Sequence, residues 1–162
     1  MAISEKRKDI FTYIVVGLFI FGGVLLGLST RFSLTFNTSP SLPYHLFITN
    51  KMEHPKERGT FVKFMLPDTR FFERKHWTKR IVGTPGDVIT VRGRKVFING
   101  EFVGEAKRKS LKGRDLTPIT PIVIPQGYYY VQADHIDSFD SRYKSLGLIH
   151  ENVFIGRDYP VF

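Results

Sequence analysis

Apolar and polar positions fall into two regimes along the chain. From 10 to 30 (IFTYIVVGLFIFGGVLLGLST) there is no charge, and an apolar run of about twenty residues can cross a bilayer core as a helix. Beyond it the apolar positions come in short runs: 60–64 (TFVKF), 80–83 (RIVG), 87–91 (DVITV), 95–98 (KVFI), 101–104 (EFVG), 128–132 (YYYVQ) and 153–156 (VFIG). They are rich in β-branched and aromatic residues and most are separated by turn formers, which predicts strands. Phe32, Leu34 and Phe36 alternate with polar residues, predicting either a core strand or a face resting on lipid headgroups.

Turn chemistry joins these runs. Asn99-Gly100 lies between two of them, and a type I′ hairpin needs positive φ at both central positions. Arg92-Gly93-Arg94 offers a second turn, so 88–103 reads as a three-stranded meander. In Thr84-Pro85-Gly86-Asp87, proline presets φ and glycine supplies the left-handed position. Residues 105–120 (EAKRKSLKGRDLTPIT) are basic and poor in large apolar side chains, predicting an exposed excursion. The expected fold class is mainly β: one N-terminal transmembrane helix, then a compact β domain closed or folded over to hide its edges.

At 162 residues the chain has room for one domain beyond the apolar block. The expected division is a cytoplasmic stub over 1–9, an anchor over 10–30 and an extracytoplasmic domain over 31–162. Lys6, Arg7 and Lys8 precede the anchor, which puts the N-terminus in the cytoplasm by the positive-inside rule. A cleavable signal peptide is the competing reading, with Gly27-Leu28-Ser29 as a small-x-small site. The apolar run exceeds the ~7–15 residues of a signal h-region, which favours the anchor.

The formal charge is +9; the stub, with Lys6, Arg7 and Lys8 against Glu5 and Asp9, holds +1 and the exported part +8. Such a surface suits anionic lipid headgroups, and an ordinary solvated basic surface accounts for it equally well. Nucleic acid is the other usual partner of this charge, but no helix-turn-helix, zinc-finger or RNP pattern is present and a membrane tether argues against it. With no cysteine, there is no disulfide framework, thiolate metal site or Cys nucleophile. His45, His54, His76, His135 and His150 are scattered without metal-ligand spacing, and no cofactor is expected.

Two stretches raise chemistry. NTSPSLP, at 37–43, packs two serines and two prolines directly after the apolar run. It reads as a stiff exit linker from the membrane, as a frame for a reactive serine, or as both. Asp134, His135 and Asp137 invite a Ser-His-Asp triad, but closeness in sequence says little about a geometry that joins distant segments. Lys79 opens KRIVGTPGD, where a cation enters an apolar strand running into a rigid turn. Burial there lowers its pKa; bringing an ordinary ~10.4 near 7 takes about 3 units, roughly 4 kcal/mol. A neutral lysine can deprotonate a serine hydroxyl. The alternative is a strand-end lysine pointing into water.

SPSLP, KRIVGTPGD and DSFDSRY occur in this order after one anchor, and together they resemble the signal peptidase I family of membrane-bound Ser-Lys proteases. The lysine motif is matched at every position from Lys79 to Asp87. The serine motif, with Ser-Leu-Pro directly after Asn-Thr-Ser-Pro, is most similar to the conjugative-transfer (TraF-type) branch, which matures pilin and related precursors. The resemblance implies Ser41 as nucleophile, Lys79 as general base and Ser39 as a hydroxyl that helps the Ser41 amide bind the oxyanion. It further implies Ser138 and Asp140 as supports, the serine orienting the lysine, and Arg142 as the partner of Asp140. Two departures, Gln132-Ala133-Asp134-His135 before the third motif and Tyr143-Lys144-Ser145-Leu146-Gly147 after it, favour the conjugative branch.

The implied partner is a membrane-embedded precursor that adds its cleavage segment as a strand beside the β domain. The implied product is a hydrolysed precursor or, in parts of that branch, a cyclised pilin. Two rivals stand beside this reading. Self-cleaving repressor-type peptidases share the dyad but carry a DNA-binding domain in place of an anchor. A non-enzymatic membrane scaffold of a secretion complex keeps the fold without needing Ser41 or Lys79.

Overall fold

The computed structural model describes residues 2–66 and 76–162. A helix, α1, runs Ala2–Arg31. Its segment Asp9–Arg31 has a mean hydropathy of 2.3, and none of the other described residues covers it. At ~1.5 Å per residue such a helix spans the ~30 Å of hydrocarbon in a bilayer. The expected anchor at 10–30 lies within this segment.

No linker follows the helix. Arg31 is its last residue and Phe32 begins strand β1 (Phe32–Phe36). NTSPSLP belongs to the loop that joins β1 to the antiparallel β2 (Leu46–Asn50), with Phe36 opposite Leu46 and Phe32 opposite Asn50. The expected exit linker is thus corrected: the two prolines stiffen a loop inside the sheet. The Phe-Ser-Leu-Thr-Phe alternation takes up strand pairing as soon as the helix ends. Lys51 then caps that end, its backbone N–H donating to the Arg31 carbonyl at 2.9 Å and its ammonium to the Ser29 carbonyl at 2.8 Å. Terminal carbonyls are satisfied and a cation sits at the negative end of the helix dipole.

The remaining strands are β3 (Phe61–Met65), β4 (His76–Gly83), β5 (Val88–Arg92), β6 (Lys95–Ile98), β7 (Glu101–Glu105), β8 (Ile122–Val123), β9 (Tyr128–Gln132), β10 (Ile149–His150) and β11 (Phe154–Pro160). They form two antiparallel sheets, one ordered β1-β2-β11-β3-β4-β9-β10 and one ordered β7-β6-β5-β8. The meander over 88–103 is present, with Asn99 at φ 51° and Gly100 at φ 86° in its hairpin turn. In the turn before it, Gly86 has φ 91°. The Asp87 carboxylate accepts from the Thr84 N–H at 2.7 Å, Arg58 Nε at 3.1 Å and Asn99 Nδ2 at 3.0 Å. Burial pushes this carboxyl up, and the hydrogen bonds outweigh it and hold its pKa low.

Strand extents differ from the sequence reading where polar residues enter strands. β4 begins at His76 rather than Arg80, and β11 continues through Arg157 and Asp158 to Pro160. The short β8 and β10, and β2, carried no clear alternation. The basic excursion at 105–120 is exposed over 111–115 but tied down at both ends. Ala106 and Ile119 are buried, and Arg94 donates to the carbonyls of Ala106, Lys107 and Leu116.

Apolar packing joins the two sheets. Val62, Phe64, Ile81, Val131, Tyr129, Ile149 and Phe154 fill the core of the larger sheet. Ile89, Val96 and Ile98 of the smaller sheet pack with Ile119, Ile124 and Tyr130. A third cluster, Leu42, Phe47, Phe61 and Ala133, seats the β1–β2 loop on β3 and the end of β9. At the other end of the larger sheet the apolar side chains of β1 face outward. Leu34 lies opposite Ile48 and Ile48 opposite Tyr159, so an exposed apolar row crosses three strands. Phe32 and Phe36 flank it on the same face.

The side chains that alternate with that row make a buried polar layer. Lys63 donates to Thr35 Oγ at 2.7 Å, Thr35 and Thr49 hydroxyls meet at 2.9 Å, and Thr78 donates to Asp158 at 2.7 Å. Burial lowers the Lys63 pKa and raises that of Asp158, and each charge partly offsets the shift of the other.

β11 carries its irregularity at Gly156, where the register with β3 slips. A Cβ there would fall on the Asn50 carbonyl oxygen, with Asn50 C and Lys51 Cα each at 2.9 Å. These are backbone atoms and cannot swing aside. Gly156→Ala is expected to destabilise the protein by about 1–3 kcal/mol, the usual cost of overpacking, in urea denaturation. An unchanged midpoint would mean that β2 and β11 are not held this closely.

Candidate active site

Lys79 sits in the middle of β4, opposite Val62 of β3. Strand alternation puts it on the same face as Trp77 and Ile81, in the apolar core rather than at a strand end in water. It is 3% exposed, and its Nζ lies 5.6 Å from the centre of the Trp77 ring. Loss of hydration pushes its pKa down to about 8; the Asp140 carboxylate pulls upward and the Arg142 guanidinium pushes down.

The segment after β9 supplies those two charges. Asp140, fully buried, takes Arg142 in a two-pronged ion pair, Nε and one terminal nitrogen each at 2.8 Å. It also accepts from the Ala133 N–H and the Arg142 N–H, both at 3.1 Å. Arg142 reaches on to the carbonyls of His135 at 3.0 Å and Ser138 at 3.1 Å. Ser141, which the sequence reading passed over, closes the segment on β9. Its Oγ accepts from the Val131 N–H at 3.0 Å and its own N–H donates to the Val131 carbonyl at 2.9 Å. The expected Asp140–Arg142 pair is therefore formed. The Ser138 hydroxyl is buried and, among the described residues, has no hydrogen-bond partner.

Ser39 and Ser41 lie in the β1–β2 loop with hydroxyl oxygens 3.0 Å apart. The next residue, Leu42, is buried against Phe61 and Ala133, and the Ser41 carbonyl accepts from the His135 N–H at 3.2 Å. Phe61 adjoins Val62, the residue opposite Lys79. The serine loop and the lysine strand thus converge on the 133–142 segment.

The triad suggested by Asp134, His135 and Asp137 does not assemble. Asp134 pairs with Arg80 at 2.7 Å and Asp137 with Lys107. His135 Nδ1 accepts from the Asp137 N–H at 3.2 Å. Asn37, whose side chain contacts Ser39, was also missed; asparagine two residues before a serine is a turn signal of moderate strength. The backbone contact of His135 with Ser41 left no mark in the sequence.

The family model described as signal peptidase, peptidase S26, matches residues 7–162. Signal peptidase I of Bacillus amyloliquefaciens is 36% identical over 65% of this chain and 56% of its own length. The conjugal transfer protein TraF of Agrobacterium fabrum is 27% identical over 98% of this chain and 97% of its own. The chain spans about half the length of the signal peptidase I relatives it matches. A crystal structure of a signal peptidase I from Enterococcus faecalis aligns with a TM-score of 0.41 and 24% identity, over 65% of this chain and 97% of that one.

The buried ammonium has a measurable consequence for stability. A lysine of ordinary pKa when unfolded and about 8 when folded opposes folding fully below pH 8 and ceases to do so above about 10.5. Lys79→Met should therefore be more stable than the parent at pH 7, by up to about 3 kcal/mol, with the gap closing as the pH rises to 10. Equal denaturation midpoints at pH 7 would show that Lys79 is hydrated in solution.

Proposed function

The chain belongs to the signal peptidase family, peptidase S26, and from that premise we propose that it is a membrane-anchored serine endopeptidase with Ser41 as nucleophile and Lys79 as general base. It removes the leader from exported precursors. The observation that carries this reading is the withdrawal of Lys79 from water, which brings its pKa to about 8. A general base works best when its pKa lies near the working pH. Asp140 favours the proton on Lys79, but desolvation outweighs it and the Arg142 guanidinium paired with Asp140 opposes it. The Ser138 hydroxyl, without a partner among the described residues, is available to fix the direction of the Lys79 amine.

In the proposed reaction Ser41 Oγ attacks the scissile carbonyl while neutral Lys79 takes the hydroxyl proton. The Ser41 N–H and the Ser39 hydroxyl donate to the oxyanion; one such donor is commonly worth ~10²–10³ in kcat. Collapse expels the leaving amine, which receives the proton from Lys79, and leaves an ester on Ser41. Water, activated by Lys79, then releases the acid. If an amine of the same substrate reaches the ester first, the product is a circular peptide instead.

The exposed strand β1, paired on one side only among the described residues, leads directly into the serine loop and suits an extended substrate segment added at that edge. α1 suits a single span with its N-terminus in the cytoplasm and the β domain on the periplasmic side of the inner membrane. The outward row of Leu34, Ile48 and Tyr159 suits contact with lipid. Near-complete alignment with the Agrobacterium conjugal transfer protein supports a conjugative pilin or another mating-apparatus precursor as substrate. A general signal peptidase for secreted proteins is the second reading, favoured by the higher identity to the Bacillus enzyme.

Ser41→Ala and Lys79→Ala are each expected to abolish processing of a co-expressed pilin precursor while the protein stays folded and in the membrane. Processing at the parental rate by either variant would leave a scaffold as the better account. Intact mass separates the two chemistries, since a circular product is one water lighter than the hydrolysed one. A precursor of unshifted mass would point to a different substrate. The kcat/KM of the parent should rise with pH through about 8, as Lys79 loses its proton; a flat profile from pH 6 to 9 would remove Lys79 as the base.

A further inference from the structure

The loop that holds the two serines contains two prolines, Pro40 and Pro43, which have no N–H to donate. Backbone pairing alone therefore leaves it poorly fixed. Asn37, the residue that opens it, compensates with its backbone N–H and both ends of its side-chain amide. Its N–H donates to the His45 carbonyl at 2.9 Å, closing the loop. Its side-chain Oδ1 accepts from the Ser39 N–H at 3.1 Å and from Ser39 Oγ at 2.9 Å. Its Nδ2 donates to the Leu42 carbonyl at 3.3 Å and the Tyr44 carbonyl at 2.9 Å. The amide orientation is set: a backbone N–H faces its oxygen and two carbonyls face its nitrogen, so the reverse orientation keeps only the contact with the Ser39 hydroxyl.

We propose that Asn37 is the positioning residue of the reactive serine, an internal strut that grips the loop on both sides of Ser41 and directs the hydroxyl of Ser39. The inference rests on the reading of Ser41 as nucleophile. Ser39 lies on one side of Ser41, and Leu42 and Tyr44 lie on the other; Asn37 joins all three. A hydroxyl carries one proton. In both of its contacts the Ser39 hydroxyl is the donor, to Asn37 Oδ1 at 2.9 Å and to Ser41 Oγ at 3.0 Å. Its one proton serves these two acceptors in turn, and the Ser41 proton stays free to leave toward a base. To serve an oxyanion, Ser39 turns its hydrogen away from Asn37, whose oxygen keeps the Ser39 N–H as a partner and is not orphaned. Asn37 thus holds Ser39 within reach of both states.

Asn37→Ala removes both grips. Asn37→Asp keeps the shape and the acceptors, loses the two donated bonds, and puts a negative charge next to the developing oxyanion. The test is the rate at which p-nitrophenyl acetate acetylates Ser41 in the full-length, detergent-solubilised protein, read by nitrophenolate release and by mass of the peptide containing Ser41. Rates are expressed per folded molecule, from the amplitude of thermal unfolding. Both variants should acetylate at least ~10-fold more slowly than the parent, as misplacement of a reacting group by a fraction of an ångström to 1 Å does, with Asn37→Asp the slower. If the parent acetylates Ser41 and both variants match it per folded molecule, Asn37 is only a structural residue and the inference falls alone. If the parent is not acetylated at Ser41, the nucleophile assignment falls and takes the inference with it.

Discussion

Two buried cations compete for one buried carboxylate. Lys79 and Arg142 are each 3% exposed and Asp140 is fully buried. A guanidinium offers two parallel donors that match a carboxylate, whereas an ammonium is a point charge, so Arg142 takes the pair. Breaking such a pair by removing one partner commonly costs ~3–5 kcal/mol, because the other charge is stranded. The lysine is left with desolvation, an aromatic face and the field of Asp140 without a bond to it. The ion pair therefore does two jobs: it fixes the 133–142 segment, and it leaves Lys79 short of a counter-charge.

The geometry that supports this balance comes from strand register. Val62 opposite Lys79, Phe61 opposite Arg80, and Arg80 opposite Gln132 set which side chains of β4 enter the core. A slip of one residue would send Lys79 to the other face and bring Arg80 inward. Arg80 instead lies over the Phe61 ring at 4.9 Å and pairs with Asp134. Adjacent basic residues thus have opposite environments, one dry and one half-exposed.

How much of this could be read in advance depended on the kind of signal. Turn chemistry was plain: Pro85, Gly86, Asn99 and Gly100 need particular φ values, and their turns lie where expected. Two strands entered by polar residues were cut short, because Thr78 and Asp158 look like surface residues until their partners are known. Each is the other's partner, and they come from strands far apart in the chain. The proposal that Ser41 and Lys79 act as a pair came from motif order and resemblance, not from local pattern. Local pattern was also what misplaced NTSPSLP, since nothing in its own seven residues says that pairing has already begun at Phe32.

That early start of pairing bears on where chemistry of the proposed kind would occur. Lys51 pins the end of α1 to the turn after β2, so the helix and the sheet are joined without slack. β1 is five residues long, which at ~3.4 Å per residue carries the chain roughly 17 Å to the serine loop. Its outward side chains, Phe32, Leu34 and Phe36, are apolar along the whole of that distance, continuing the apolar surface of the helix. A strand with such a face lowers its free energy by lying along the lipid surface rather than standing away from it. On the proposed reading, Ser41 would then work at the level of the headgroups. A precursor still held in the bilayer could reach it with only a short extended segment, and a soluble chain would have no comparable path to that edge.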